Sequence, residues 1–77
     1  MEVRETVRKA IQGMALAPVP GDDSVSLFSE GVIDSFGLVD LMSTLEDLLG
    51  VKVPDDELMP GRFETVDKIV AYFQKRM

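Results

Sequence analysis

Asp34 and Ser35 stand side by side in the stretch LFSEGVIDSFGLVDLM, residues 27 to 42, and are the side chains best placed to do chemistry. A serine hydroxyl is a useful nucleophile only beside a base, and the chain has no histidine, the usual base. Asp34 does not serve, because adjacent residues of a helix do not face one another. We therefore interpret Ser35 as a place where a group is attached, and we expect no catalytic residue.

The remaining acidic clusters do not predict an enzyme or a metal centre. Asp55, Asp56 and Glu57 lie in a row on a short segment, with no sign of the separation or burial that paired glycosidase carboxylates need. Asp22 and Asp23 do not follow the alternating ligand spacing of a calcium loop. An enzyme that uses these carboxylates is therefore a disfavoured alternative, and no dedicated metal site is expected.

A helix that begins at Asp34 and Ser35 would suit the attachment of a phosphate. Both residue types cap helices well, and the first turn offers unpaired amide donors at the positive end of the helix dipole. Gly31 would let the chain turn sharply, and Gly37 would leave space beside the serine. The simpler alternative is that Ser35 is only a helix cap.

Apolar spacing predicts three long helices that would position this serine. The first cannot run far past Ala17, because Pro18 lacks an amide donor. Its apolar stripe consists of Val3, Val7, Ala10, Ile11 and Met14. The second begins at Asp34-Ser35 and is ended by Gly50. The third covers about Thr65 to Arg76, with its first residue as the cap.

A long loop, APVPGDDSVSLFSEGVI, joins the first two predicted helices. A loop of this length is usually either functional or fixed by its own apolar residues, here Leu27 and Phe28 with help from Val32 and Ile33. A further short helix is predicted at Asp55–Met59. The predicted fold is all-α, a small bundle of three long helices plus one short helix, in a single domain of residues 1–77.

The charge distribution limits the possible partners. The net charge is −6, and no basic residue occurs between Lys9 and Lys52. This surface would repel nucleic acid and anionic membranes, and it would attract a basic patch on another protein. The alternative is that the acidic residues only maintain solubility. The N-terminus lacks the apolar run of a signal peptide, and no segment approaches the ~20 apolar residues of a membrane span. A cytoplasmic protein without membrane insertion is therefore expected, and we further expect it to be a monomer.

The segment GVIDSFGLVDLMSTLED resembles the attachment motif of acyl carrier proteins. The likeness extends over nearly the whole chain and includes LFSEG before the motif, GVKVPDDEL after it and FETVDKIVAYF near the end. It implies an acyl-carrier-like bundle in which Ser35 receives 4′-phosphopantetheine from coenzyme A. The terminal thiol of that arm would then carry a cargo as a thioester, although the chain itself has no cysteine.

The resemblance also implies roles for other positions. Asp34 accompanies the modified serine, and Phe36 occupies an apolar position that contacts partner enzymes, with burial as a core anchor the alternative. Asp40, Glu46 and Asp47 match the acidic positions of the recognition helix. The buried face of that helix is expected to contain Leu41, Leu45 and Leu49.

The tetrapeptide DSFG is unlike the Asp-Ser-Leu-Asp of common fatty-acid carriers and is similar to that of D-alanyl carrier proteins and some specialised carriers. Ser43 and Thr44 also stand where common fatty-acid carriers have apolar residues. We interpret the chain as a non-catalytic carrier of a thioester-linked acyl group in a fatty-acid-like or specialised pathway. A D-alanyl or other aminoacyl carrier is the alternative, and an acidic interaction module without a prosthetic group is a remoter one.

The implied partners are enzymes. They comprise a phosphopantetheinyl transferase, a loading ligase or acyltransferase, and acyl-processing or acyl-transferring enzymes with basic patches.

Overall fold

The computed structural model describes residues 2–77, and their regular structure is helical. The three α-helices are α1 (Val3–Gln12), α2 (Ser35–Leu49) and α3 (Val66–Arg76). α1 packs against both α2 and α3. Residues 2–77 contain no strand, so the predicted all-α class is confirmed.

The predicted short helix is not found as one continuous element. The segment instead forms two 3-10 turns, Asp55–Glu57 and Pro60–Arg62. Short-range bonds hold the first turn, such as that from the Glu57 amide to the Pro54 carbonyl at 3.0 Å. Pro60 has no amide hydrogen to donate, so a longer helix would lose a bond at that point.

Local capping residues set the helix ends as the sequence predicts. The Thr65 hydroxyl accepts a hydrogen bond from the Lys68 amide at 3.1 Å and starts α3. Gly50 ends α2 in the left-handed region with φ 69°, which favours glycine. α1 is shorter than the prediction allowed, since Gly13 already forms its C-cap.

The core lies between the three helices and also takes residues from the long loop. Leu27, Val32 and Ile33 are buried and Phe28 is half-buried, which confirms the predicted apolar anchors of that loop. The helices contribute most of the remaining large members of the core, and Phe63 joins them from the segment before α3. The helical members include Val7, Ile11, Leu38, Leu41, Met42, Leu45, Ile69, Val70 and Phe73.

Polar contacts fix the same loop to α1 and α3. The carboxylate of Asp23 pairs with Arg4 at 2.6 Å and with Arg8 at 2.5 Å, and the Asp23 carbonyl accepts from the Asp67 amide at 3.1 Å. Arg4 also pairs with Asp67 at 2.7 Å, and hydrogen bonds to Asp67 and Asp23 raise the pKa of Arg4. The loop that leads to Asp34 is therefore held by two helices.

None of the helices within residues 2–77 combines the length and the apolar character of a membrane span.

Candidate functional site

Asp34 caps α2, and this leaves Ser35 as the first helical residue. The Asp34 carboxylate accepts a hydrogen bond from the Gly37 amide at 2.7 Å, and the Asp34 carbonyl accepts from the Leu38 amide at 2.9 Å. The backbone of Asp34 is extended, with φ −113° and ψ −177°, as a cap residue requires. The capping role that the sequence allowed for either residue therefore belongs to Asp34.

The Ser35 side chain is exposed, and its hydroxyl has no hydrogen-bond partner among residues 2–77. The amides of Ser35 and Phe36 also have no acceptor within the described chain. These two donors lie at the positive end of the dipole of a 15-residue helix. Hydroxyl, free amides and dipole therefore coincide at one point on the surface.

The chain before Ser35 emerges from the core over a few residues. Gly31 makes the turn with φ 70°, where a side chain would be strained. Val32 and Ile33 are buried directly after it, and Asp34 and Ser35 are exposed. The change from anchored to exposed residues thus places the serine outside the bundle.

Gly37 has a role that differs from the predicted one. A β-carbon at this position would lie 3.3 Å from the Asp34 carboxylate oxygen and 3.6 Å from the terminal methyl carbon of Met14. The absence of a side chain therefore lets the capping carboxylate and Met14 pack closely against the first turn of α2. It does not open space beside the serine, as the sequence had suggested.

An exposed apolar surface adjoins Ser35 on α2. Phe36 is 84% exposed and Val39, one turn further along, is 50% exposed. The alternative of Phe36 as a buried anchor is therefore wrong. Sequence reasoning did not select Val39, although α2 contains more apolar residues than its single buried face can accommodate.

The three acidic positions of α2 do not share one environment. Asp40 and Asp47 are exposed, whereas Glu46 is half-buried and its carboxylate accepts a hydrogen bond from the Val53 amide at 2.6 Å. Glu46 therefore anchors the segment after α2. Leu41 and Leu45 are buried as predicted and Leu49 is half-buried.

Several acidic residues outside α2 are engaged in structural contacts. Asp22 accepts hydrogen bonds from the hydroxyl and the amide of Ser24, which lower the pKa of Asp22. Asp23 lies between two arginines, and Glu57 pairs with Arg76 at 2.8 Å. These contacts account for most of the acidic residues that the sequence weighed as catalytic or ligating groups.

An exposed nucleophilic oxygen on a rigid helix end, with no base beside it, suits a residue to which other proteins attach a group. Comparison with known families defines the class: the family described as "Phosphopantetheine attachment site" matches residues 4–73, and the chain belongs to this family. The class of protein is thus a small helical carrier.

Individual relatives cover almost the whole chain. D-alanyl carrier protein 2 of Lactiplantibacillus plantarum is 37% identical over 70 residues, which are 91% of this chain and 88% of that protein. The D-alanyl carrier protein of Streptococcus uberis is 37% identical over 70 residues, with 91% and 89% covered. That of Streptococcus suis is 32% identical over 71 residues, with 92% and 90% covered.

These comparisons confirm the resemblance to acyl carrier proteins and its prosthetic group. Members of the family are non-catalytic carriers on which other enzymes act, and they hold 4′-phosphopantetheine covalently. The start of α2 fits such a group, because it offers an exposed hydroxyl for the bond and two free amides for phosphate oxygens.

Proposed function

We propose that the hydroxyl of Ser35 is the attachment point of 4′-phosphopantetheine. The observation that carries this proposal is that the two neighbouring residues have different roles. Asp34 caps the helix, so the Ser35 oxygen stays exposed and free to form a phosphodiester. The free amides of Ser35 and Phe36 support it, because they would offset the negative charge of the phosphate in an acidic chain.

The cargo that we propose is D-alanine, carried as a thioester on the terminal thiol of the arm. Two features favour this aminoacyl alternative over a fatty-acid-like pathway. The relatives of nearly equal length are named as D-alanyl carrier proteins, and the sequence Asp-Ser-Phe-Gly at residues 34–37 resembles the attachment motif of that kind of carrier. The chain would then receive D-alanine from a ligase and pass it to an acyl-transferring enzyme.

The proposed recognition surface is the exposed side of α2. Phe36 and Val39 supply apolar contact beside the serine, and Asp40 and Asp47 supply negative charge further along the helix. Exposed charges of this kind accelerate association and are screened by salt, which suits a carrier that must leave each enzyme quickly. The whole chain is proposed to act as one carrier domain, monomeric and cytoplasmic.

Attachment is tested by mass spectrometry after incubation with coenzyme A and a broad-specificity phosphopantetheinyl transferase. The parent should gain the mass of one phosphopantetheine group, and Ser35→Ala should gain none. Ser43→Ala, which removes another exposed serine of α2, is the matched control and should be modified like the parent. Modification of Ser35→Ala would contradict the proposal by placing the attachment at another residue. No modification of the parent would also contradict it and would favour an interaction module without a prosthetic group.

The cargo is tested on the modified protein with a D-alanine-activating ligase and ATP. A gain of one alanyl group that is released by hydroxylamine would indicate the thioester. L-alanine and a medium-chain fatty acid with its own ligase serve as competitors. Preferential loading by the fatty acid would overturn the D-alanyl proposal and leave the attachment site untouched.

A further inference from the structure

Besides the exposed side of α2, the surface has a basic groove along α3. It encloses about 450 Å³ between the turn Pro60–Arg62 and the helix. Four of its lining residues are cations, although the chain as a whole has a net charge of −6. The cations that line the groove are Arg62, Lys68, Lys75 and Arg76.

The spacing of these residues follows the axis of α3. Lys68, Ala71 and Lys75 lie at positions i, i+3 and i+7 and all line the groove. With a rise of 1.5 Å per residue, the backbone positions of the two lysines are about 10.5 Å apart, two helical turns. Ala71 between them has a small side chain, so the groove has a shallow floor with a positive charge at each end.

Internal contacts hold two of the cations in place. Lys68 pairs with Glu64 at 2.7 Å and donates to the Gly61 carbonyl at 3.3 Å. Arg76 pairs with Glu57 at 2.8 Å, and its guanidinium carbon lies 3.7 Å from the centre of the Tyr72 ring.

The other two cations, Arg62 and Lys75, differ from this pair. Within residues 2–77, neither Arg62 nor Lys75 has a carboxylate at ion-pair distance. Arg62 on the turn and Lys75 on α3 therefore supply positive charge that no ion pair within residues 2–77 neutralises. Lys68 is paired with Glu64 but is exposed, so it can also face a carboxylate of a partner.

We propose that this groove docks an acidic helical segment of a partner protein, with two carboxylates seven residues apart that face Lys68 and Lys75. A partner helix repeats its surface at the same two-turn distance as α3, so both pairs can form at once. Arg62 lies beside this stripe and is available to a further carboxylate.

Two other kinds of occupant fit less well. A single phosphate is much smaller than the groove and would contact only one end of a stripe that is two turns long. A membrane surface is flat and would not enter a concave groove. The lining includes none of the large exposed apolar side chains that could insert into lipid.

The groove and the acidic side of α2 belong to different helices, and α1 packs against both. A partner that presents a basic patch to α2 and an acidic helix to α3 would accept the protein in only one orientation. Charge complementarity of this kind gives specificity more than affinity.

The test is an NMR titration of the full 15N-labelled chain at low salt with a synthetic alanine-rich helical peptide. The probe carries two glutamates seven residues apart, and its control carries the same glutamates five residues apart, on different faces. The matched variants are Lys68→Gln with Lys75→Gln, and Lys9→Gln with Lys52→Gln. Both lose two exposed positive charges, but only the first pair lines the groove.

The probe should shift resonances of residues 60–76, and the control peptide should bind more weakly. The Lys68/Lys75 variant should weaken binding about three- to tenfold, as expected for two exposed ion pairs, and the Lys9/Lys52 variant by less than about twofold. Equal weakening in both variants would overturn the proposal. It is also overturned if inorganic phosphate, or vesicles with anionic lipid, give the same shifts and displace the peptide.

Discussion

The carboxylate of Asp34 accepts a hydrogen bond from the amide of Gly37 at 2.7 Å, across the residue that we propose is modified. Ser35 lies between donor and acceptor and takes no part in the bond. The stability of the helix end and the reactivity of the hydroxyl are therefore assigned to different side chains. A modifying enzyme can then use the serine without breaking the helix cap.

Alanine substitutions should separate these two roles. Asp34→Ala should lower the free energy of unfolding by about 1 kcal/mol, because the Gly37 amide loses its acceptor. Ser35→Ala should change it by less than about 0.5 kcal/mol, as for an exposed residue without a bond. Urea denaturation followed by circular dichroism measures both. A loss of about 1 kcal/mol in Ser35→Ala would mean that the serine caps the helix after all.

The exposed acids of α2 should influence rates more than stability. Reversing charge in Asp40→Lys with Asp47→Lys should slow phosphopantetheinylation about tenfold at low salt, since attraction to a basic enzyme surface is lost. The rates of variant and parent should converge at high salt, because exposed charges are then screened.

The control for this experiment is Asp55→Lys with Asp56→Lys, which makes the same change of charge on the exposed 3-10 turn. It should retain most of the parental rate. Equal rates at low salt for the α2 variant and the parent would count against a recognition role of Asp40 and Asp47.

Glu46 should behave differently from these two acids, because its carboxylate holds the Val53 amide at 2.6 Å. Glu46→Ala should lower the free energy of unfolding by about 1.5 kcal/mol, since a half-buried amide loses a charged acceptor. Glu46→Gln keeps an acceptor oxygen and should lose less. If both variants are as stable as the parent, the bond does not contribute and Glu46 is available to partners.

Tyr72 provides a pH-dependent prediction. Burial raises the pKa of its phenol above the ordinary value of 10.0. The folded protein therefore holds this proton more tightly than the unfolded chain, and the contribution to stability is lost as the pH rises from about 10 through the folded pKa. Tyr72 is the single tyrosine, so phenolate absorbance reports on it alone.

The control for this titration is Tyr72→Phe. Among residues 2–77 the buried Tyr72 hydroxyl has no hydrogen-bond partner, so its removal should leave stability unchanged or raise it by about 1 kcal/mol at neutral pH. It should also reduce the fall in the free energy of unfolding above pH 10. Any fall that remains in Tyr72→Phe is then due to the titration of other groups. A normal phenol titration near 10 would show that the ring is not buried in solution.

Local patterns in the sequence predicted much of the fold. The cap at Thr65, the left-handed end at Gly50 and the loop anchors Leu27 and Val32 all follow from residue type and spacing, and all are present. Periodicity likewise identified Leu41 and Leu45 as buried, because a helix repeats its faces every three to four residues.

Contacts between distant segments were not predictable in this way. The bond between Glu46 and Val53, the close approach of Met14 to Gly37 and the pairing of Asp23 with arginines of α1 depend on how the elements pack. From the sequence alone, Glu46 and Asp23 could only be treated as charged surface residues. A single sequence does not distinguish a carboxylate that is free from one that is hydrogen-bonded or ion-paired. The sequence also left open whether Phe36 is exposed or buried, because this depends on which side of α2 packs against the other helices.

The cluster of Arg4, Asp23 and Asp67 joins parts of the chain that are up to 63 positions apart. The segment that delivers Ser35 to the surface is thus fixed by residues of both α1 and α3. A shortened version that retains only the motif and α2 would lose both of these helices, and with them the scaffold that presents the serine. A carrier unit that is to be grafted onto an enzyme must therefore include α1, the long loop, α2 and α3.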